Sequence, residues 1–252
     1  MSSTPQIRVG VGGWVYAPWR GAFYPPGLPQ ARELGYASRR LTTIEINGTF
    51  YGPQKPASYR RWHDETPEDF VFSIKGPRVA THRSDLAGAG PVFERFVASG
   101  IVELRDKLGP ILWQFPANIP IDEGALAAFL ELLPDHIDGR ALRHAVEFRR
   151  SGVATAPVIE LLRHHEVALV VDDSRPDFEI TADFVYVHLR RCADDEPDGY
   201  PSDALDVWAQ RLRERSARDV SDCFVYFISG AKIRAPAAAQ ALLAADSGGV
   251  TG

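Results

Sequence analysis

Eight short segments of the chain end in residues able to do chemistry. They end at Gly12-Gly13-Trp14, Glu45-Ile46-Asn47, Lys75, Gln114, Glu147-Phe148-Arg149, Asp172-Asp173, His188-Leu189-Arg190 and Ser229. Glu45, Glu147 and Asp172 supply carboxylates for general acid–base work. Lys75 and Arg149 could stabilise developing negative charge. Three carboxylates gathered in one low-dielectric site cannot all ionise without compensation. Lys75, Arg149, Arg190 or a metal ion must supply it. Glu45, Glu147, Asp172 and His188 also offer hard oxygen ligands and one imidazole, but no HExxH or paired-His motif accompanies them, so no metal site is assigned. Glu45 and Glu147 are a candidate carboxylate pair for glycoside chemistry, with their separation open. Ser229, His188 and Asp172 are at most a loose grouping, because the chain has no G-x-S-x-G elbow.

These ends belong to apolar, β-branched or aromatic runs: 7–12, 42–46, 70–74, 111–115, 144–148, 167–171, 184–189 and 223–228. Runs such as VALVV and FVYVHL suit parallel strands covered on both faces. Helical periodicity fills most of the gaps. Phe93, Phe96, Val97, Ile101, Leu104 and Leu108 form one stripe, with Gly109-Pro110 as its expected stop. Leu126, Phe129, Leu130 and Leu133 form another, and Leu205, Trp208, Ala209 and Leu212 a third. The strands start about 31 residues apart on average, close to one βα unit. Eight such units predict an α/β fold, a (β/α)8 TIM-barrel-like single domain over residues 1–252 with its core at about 7–245. The link between strands six and seven, SRPDFEITA, is too short for a covering helix, so the barrel is expected to be irregular there. The rival, an open doubly wound sheet, lacks its GxGxxG fingerprint.

In a parallel barrel the carboxyl ends of the strands meet at one mouth. In TIEIN, Ile44 and Ile46 share one face, so Glu45 and Asn47 share the other and point into that mouth. The amino ends look poorer in polar groups. Aromatics crowd the first 62 residues, which hold ten of the 26. Most should pack the long early loops as small cores; Trp14 and Tyr51, near strand ends, are the candidates for stacking on a ligand. Basic residues follow strands three, five and seven: Lys75, Arg78, His82 and Arg83, then Arg149 and Arg150, then Arg190 and Arg191. They could clamp phosphate or neutralise the nearby acids.

The bulk composition narrows the class. The chain has 252 residues, a net charge of −5 and 45% hydrophobic residues, which fits an ordinary globular protein and argues against a general polyanion binder. No apolar run is long enough to span a membrane, and MSSTPQIRVG does not read as a secretory signal. Cys192 and Cys223 form no CxxC or Cys/His cluster. The expected setting is cytoplasmic, with both thiols reduced.

The segments GGWVYAPWRGAFYP, TIEINGTFY, TPEDFVFSIK with Thr81-His82, KLGPILWQFP, AVEFR and FVYVHL resemble the YecE-like family, domain of unknown function 72, over roughly residues 7 to 245. The resemblance implies a TIM-barrel-like fold and no established activity. Positions typical of the family are Gly13, Trp14, Glu45, Asn47, Thr49, Tyr51, Lys75, His82, Gln114, Glu147, Arg149 and Asp172. The chain departs from the pattern at His188, where Arg is usual, at Ser151-Gly152 after EFR, and at Ile228-Ser229-Gly230, where the family carries polar groups. The similarity of the family's barrel to those of the endonuclease IV and xylose isomerase group implies nucleic-acid or sugar-phosphate ligands, at the level of fold analogy. The leading expectation is an enzyme on a phosphorylated or nucleic-acid-like substrate. Its catalytic candidates are Glu45, Lys75, Glu147 and Asp172; its ligand-binding candidates are Trp14, Asn47, Tyr51, His82, Gln114, Arg149, His188 and Arg190. The alternatives are a non-catalytic module for an anionic ligand or single-stranded nucleic acid, and a protein-interaction domain. The sequence names no cofactor.

Overall fold

A computed structural model describes residues 6–173, 179–217 and 220–248. Its main sheet is wholly parallel, and eight strands build it. They are β1 (Gln6–Gly12), β2 (Thr43–Ile46), β3 (Val71–Lys75), β4 (Leu108–Phe115), β5 (His144–Phe148), β6 in two pieces (Ala168–Leu169 and Val171–Asp172), β7 (Phe184–Leu189) and β8 (Asp222–Phe227). The first piece of β6 pairs with β5 and the second with β7, so the two edges of the sheet meet at Val170. β1 pairs with β2 on one side and β8 on the other. This is the TIM-barrel-like architecture expected from the strand count.

The alternation of the strands sorts two cores. Val9, Val11, Ile44, Ile46, Phe72, Ile74, Trp113, Val146, Val187 and Val225 face outward into a large apolar layer beneath the helices. Leu112, Ala145, Ala168, Phe184, Tyr186, Phe224 and Tyr226 fill the interior as a second, smaller cluster. Thr43 Oγ1 donates to Val71 O, which leaves the Tyr226 hydroxyl as the donor in its 2.9 Å contact with Thr43. The interior therefore holds satisfied hydroxyls, as burial demands.

The covering helices are α1 (Glu33–Ala37), α2 (Gly48–Tyr51), α3 (Pro56–Glu65), α4 (Arg78–Thr81), α5 (Gly90–Ala98), α6 (Glu123–Glu131), α7 (Ala156–His164), α8 (Ser202–Ser216) and α9 (Ala235–Gly248). The stripe from Phe93 to Leu108 is not one helix. α5 ends at Ala98, Gly100 takes φ 98°, and a 3₁₀ segment follows over Ile101–Lys107. Gly109 and Pro110, expected to stop a helix, lie inside β4 instead. The register against β3 slips by one residue there, and a Cβ on Gly109 would sit 2.7 Å from Phe72 O. A glycine is needed for that close approach.

Residues 174–178, within the link expected to be irregular, and the tail beyond 248 lie outside the described residues. The described part of the link, 179–183, contains no helix. Thr181 does some of the covering work: its hydroxyl donates to Val167 O and accepts from Leu169 N, at 2.7 and 2.9 Å.

The amino end of the barrel is more charged than the sequence suggested. Arg143 pairs with Asp222 at 2.8 Å and lies over the rings of Phe184 and Phe224. Arg8 donates to Asp69 O at 2.7 Å. These groups close the bottom.

Candidate functional site

The opposite end is open. A cavity of about 660 Å³ lies at the carboxyl ends of the strands. Trp14, Glu45, Asn47, Tyr51, Lys75, Gln114 and Arg149 all line it, so seven of the expected site residues meet there. Gly12, Phe50, Gln54, Trp62, Ser229 and Lys232 are among the rest of the wall. Gly12 faces inward, and a Cβ on it would come 2.8 Å from Asn47 Nδ2.

Glu45 is the floor of this cavity and is 1% exposed. Its Oε2 accepts from the Tyr186 hydroxyl and from His188 Nε2, both at 2.7 Å. Ser73 in turn donates to Tyr186 at 2.9 Å, because the tyrosine proton is already used on Glu45. Burial by itself would raise the Glu45 pKa. The charge and hydrogen bond of His188, then Lys75 and the Tyr186 hydroxyl, outweigh it and bring the value to about 2. Burial, reinforced by the Glu45 charge, raises Tyr186 well above the usual phenol range, so it stays a donor.

His188, Glu147, Asp172 and Arg190 do not line the cavity. The sequence placed them at the ligand; the structure packs them one layer away, into one another. His188 is fully buried, and its Nδ1 lies 3.4 Å from Glu147 Oε2 without hydrogen-bond geometry. Glu147 accepts from Gln114 Nε2 and from Arg149 Nη1 and pairs with Arg190. Arg190 also reaches Asp172, at 3.9 Å. The carboxylates expected to repel are thus compensated by two arginines and the imidazole. Asp173 holds the backbone in place: its Oδ2 accepts from the N–H groups of Arg190 and Arg191 and from the Tyr200 hydroxyl. His82 is exposed and stands off the cavity, its ring 5.4 Å from that of Phe50. Among the described residues no group of three or more His, Cys, Asp or Glu is arranged to hold a metal ion.

Lys75 enters the cavity from the end of β3, its Nζ 4.7 Å from the centroid of Phe50. Its backbone is pinned by Thr49, whose hydroxyl donates to Lys75 O at 2.6 Å. Gly76 follows because a Cβ there would lie 2.4 Å from the Trp113 ring. Burial lowers the Lys75 pKa; Glu45 opposes this, and Arg149 and Arg190 reinforce it.

Sequence reasoning missed two contributors. Lys232 reaches the wall from the 3₁₀ turn after β8, with its Nζ 4.8 Å from the Tyr16 ring centroid. The end of strand eight, which looked stripped of polar groups, is therefore served by a lysine a few residues on. Tyr186 was readable: it shares the inward face of FVYVHL with His188, two residues away. The early aromatics build the small loop cores expected of most of them, and Trp14, on the cavity wall, is edge-on to Trp62 at 5.1 Å. Tyr16, Trp19, Phe23, Tyr24 and Tyr36 interlock, all edge to face but for the tilted Phe23–Tyr24 pair, while Tyr51 stays 77% exposed at the rim. Cys192 and Cys223 are free and buried, and burial pushes both thiols up to about 12. No helix among the described residues is long and apolar enough to cross a membrane.

The parallel barrel closed at its amino end and open over a charged floor at its carboxyl end defines a TIM-barrel-like protein with a mouth pocket. The chain belongs to the family described as "Protein of unknown function DUF72", whose model matches residues 8–247. It is 29% identical over 172 residues to UPF0759 protein YecE of Escherichia coli K12, a match covering 68% of this chain and 60% of that protein. The chain thus spans less than two thirds of that relative's length. A solved DUF72 family protein of Thermotoga maritima superposes with a TM-score of 0.72 at 23% identity, covering 94% of this chain and 97% of that one. A D-psicose 3-epimerase solved in the presence of D-fructose gives a TM-score of 0.52 at 11% identity, over 95% of this chain and 96% of that one. The last two likenesses concern the fold alone.

Proposed function

We propose that the mouth pocket binds a small phosphorylated, hydroxyl-bearing molecule and acts on it as an enzyme. One observation carries the reading. Among the described lining residues Glu45 is the one carboxylate, and it is committed to His188 and Tyr186, while Lys75 and Lys232 reach the cavity outside any ion pair and Arg149 reaches it beside its contact with Glu147. An acidic protein therefore keeps a locally cationic pocket, which suits an anion. Arg149 and Lys232 are the phosphate-holding groups, and Asn47, Gln114 and Ser229 offer hydrogen bonds to hydroxyls. Glu45 is too weak a base for proton abstraction near neutral pH, since the useful range lies close to the working pH. Its work is to hold His188 and the floor. The sugar named with the epimerase supports a hydroxylated substrate by fold analogy only.

Calorimetric titration with glucose 6-phosphate, inorganic phosphate and glucose tests this. The two phosphates should bind, more weakly as salt rises, and glucose should not. Equal binding of glucose and its phosphate would overturn the reading. Phosphorus NMR of a panel of sugar phosphates then looks for turnover.

A second reading, non-catalytic binding of single-stranded nucleic acid, draws on exposed Tyr51 with its ring edge-on to Phe50 at 5.2 Å. It requires a labelled oligonucleotide to bind with a steep salt dependence.

A further inference from the structure

Lysine is scarce in this chain. Of 28 basic residues only four are lysines, Lys55, Lys75, Lys107 and Lys232, and arginine supplies the rest. Two of the four line one cavity. If charge were all the site needed, arginine would serve as it does elsewhere. A guanidinium does not lose its proton or condense with a carbonyl, whereas a primary amine does both.

The four amines differ in what they are free to do. Lys107 Nζ is fully occupied, donating to His63 O, Thr66 O and Thr66 Oγ1. Lys55 is exposed to solvent. Lys232 lies over the rings of Tyr16 and Trp19. Lys75 is half-buried in the cavity with Phe50 beneath it, and among the described residues no carboxylate lies within ion-pair distance of its Nζ. Glu45, the carboxylate whose charge acts on Lys75, is held by His188 and Tyr186.

We propose that Lys75 is the nucleophilic amine of the pocket and forms an imine with an aldehyde or ketone carbonyl of the phosphorylated ligand. This rests on the phosphate reading above and adds the carbonyl to it. The neutral Nζ adds its lone pair to the carbonyl carbon, and the C=O π pair moves to oxygen. A proton passes from nitrogen to that oxygen, the hydroxyl leaves as water with a second proton, and the C=N bond forms. No oxidant or further reactant is required. Burial and the neighbouring arginines lower the Lys75 pKa and so ease the loss of the proton that starts the sequence.

The test traps the imine. The intact protein is incubated with dihydroxyacetone phosphate, reduced with borohydride and mapped by peptide mass spectrometry, with Lys55 as the internal control for random labelling. The adduct should concentrate on Lys75. It should fall when glycerol 3-phosphate, which carries the phosphate but no carbonyl, is added, and it should vanish in Lys75→Arg. Label on Lys55 or Lys232 in place of Lys75 would overturn the proposal. So would an unlabelled Lys75 in a protein that binds glycerol 3-phosphate by calorimetry, and the phosphate reading would then survive. Failure of glycerol 3-phosphate, glucose 6-phosphate and inorganic phosphate alike to bind would remove the phosphate reading and the imine with it.

Discussion

The two ends of the barrel use charge differently. At the amino end Arg143 is paired with Asp222 and packed on Phe184 and Phe224, and Arg8 is tied to a backbone carbonyl. The charged groups there are tied down by a carboxylate, two aromatic rings and a backbone carbonyl. At the carboxyl end Glu45, His188, Glu147 and Arg190 are matched in a buried layer, yet Lys75 is left above them facing a cavity. Strand parity alone puts ionisable groups at both ends. An end becomes a candidate site when its pairing leaves a charge over and its geometry leaves room beside that charge.

This contrast can be broken by substitution, starting where the effect should be greatest. Glu45→Ala removes the partner of a fully buried imidazole and should cost about 3–5 kcal/mol in urea unfolding at neutral pH, as breaking a buried pair does. An unchanged unfolding midpoint would mean that the buried layer is not a coupled unit. A pH series should come next in size. On the outer face of β5, His144 accepts from Trp113 Nε1 and donates to Pro134 O, and burial lowers its pKa to about 4. A group held neutral in the fold contributes stability that is present above its unfolded value, about 6.5, and is lost as pH falls through the folded value. About 3 kcal/mol should therefore disappear between pH 6.5 and 4. Glu45, also depressed, adds a second loss as pH falls from its unfolded value, about 4.3, towards 2. Denaturant midpoints taken at steps across both windows check this, and a flat profile above pH 4 would contradict the His144 assignment.

The remaining pair sharpens the comparison. Arg143→Met should cost about 1–2 kcal/mol, because it strands Asp222, and leave phosphate affinity at the far end unchanged. Lys75→Met should do the reverse: stability within about 0.5 kcal/mol of the parent, since no ion pair is lost, but phosphate affinity reduced about tenfold, because one of the three cations beside the phosphate is gone. If Lys75→Met destabilised as much as Arg143→Met, the distinction between the two ends would fail.

Much of the barrel was legible locally. Apolar runs spaced about 31 residues apart on average are a direct record of βα units, because each strand must be followed by enough chain to return over the sheet. The inward facing of Glu45 and Asn47 followed from Ile44 and Ile46 in the same way. Errors arose where a distant segment set the local outcome. Gly109-Pro110 has the signature of a helix stop, but the slip in register against β3 and the contact with Phe72 O put it inside a strand. Lys232 follows β8 by several residues, and only the turn after that strand swings it over Tyr16 and into the cavity wall.

The sequence by itself determined the α/β class, the family, and which residues stand at the strand ends, since period-two alternation and strand spacing are properties of neighbouring residues. The tertiary structure decided which of those residues share a cavity and which neutralise one another. Glu147, His188 and Arg190 pack against one another outside the wall, while Lys75 remains in it. That division depends on distances between strands far apart in the chain, and the balance of burial against pairing exists only once the barrel has closed.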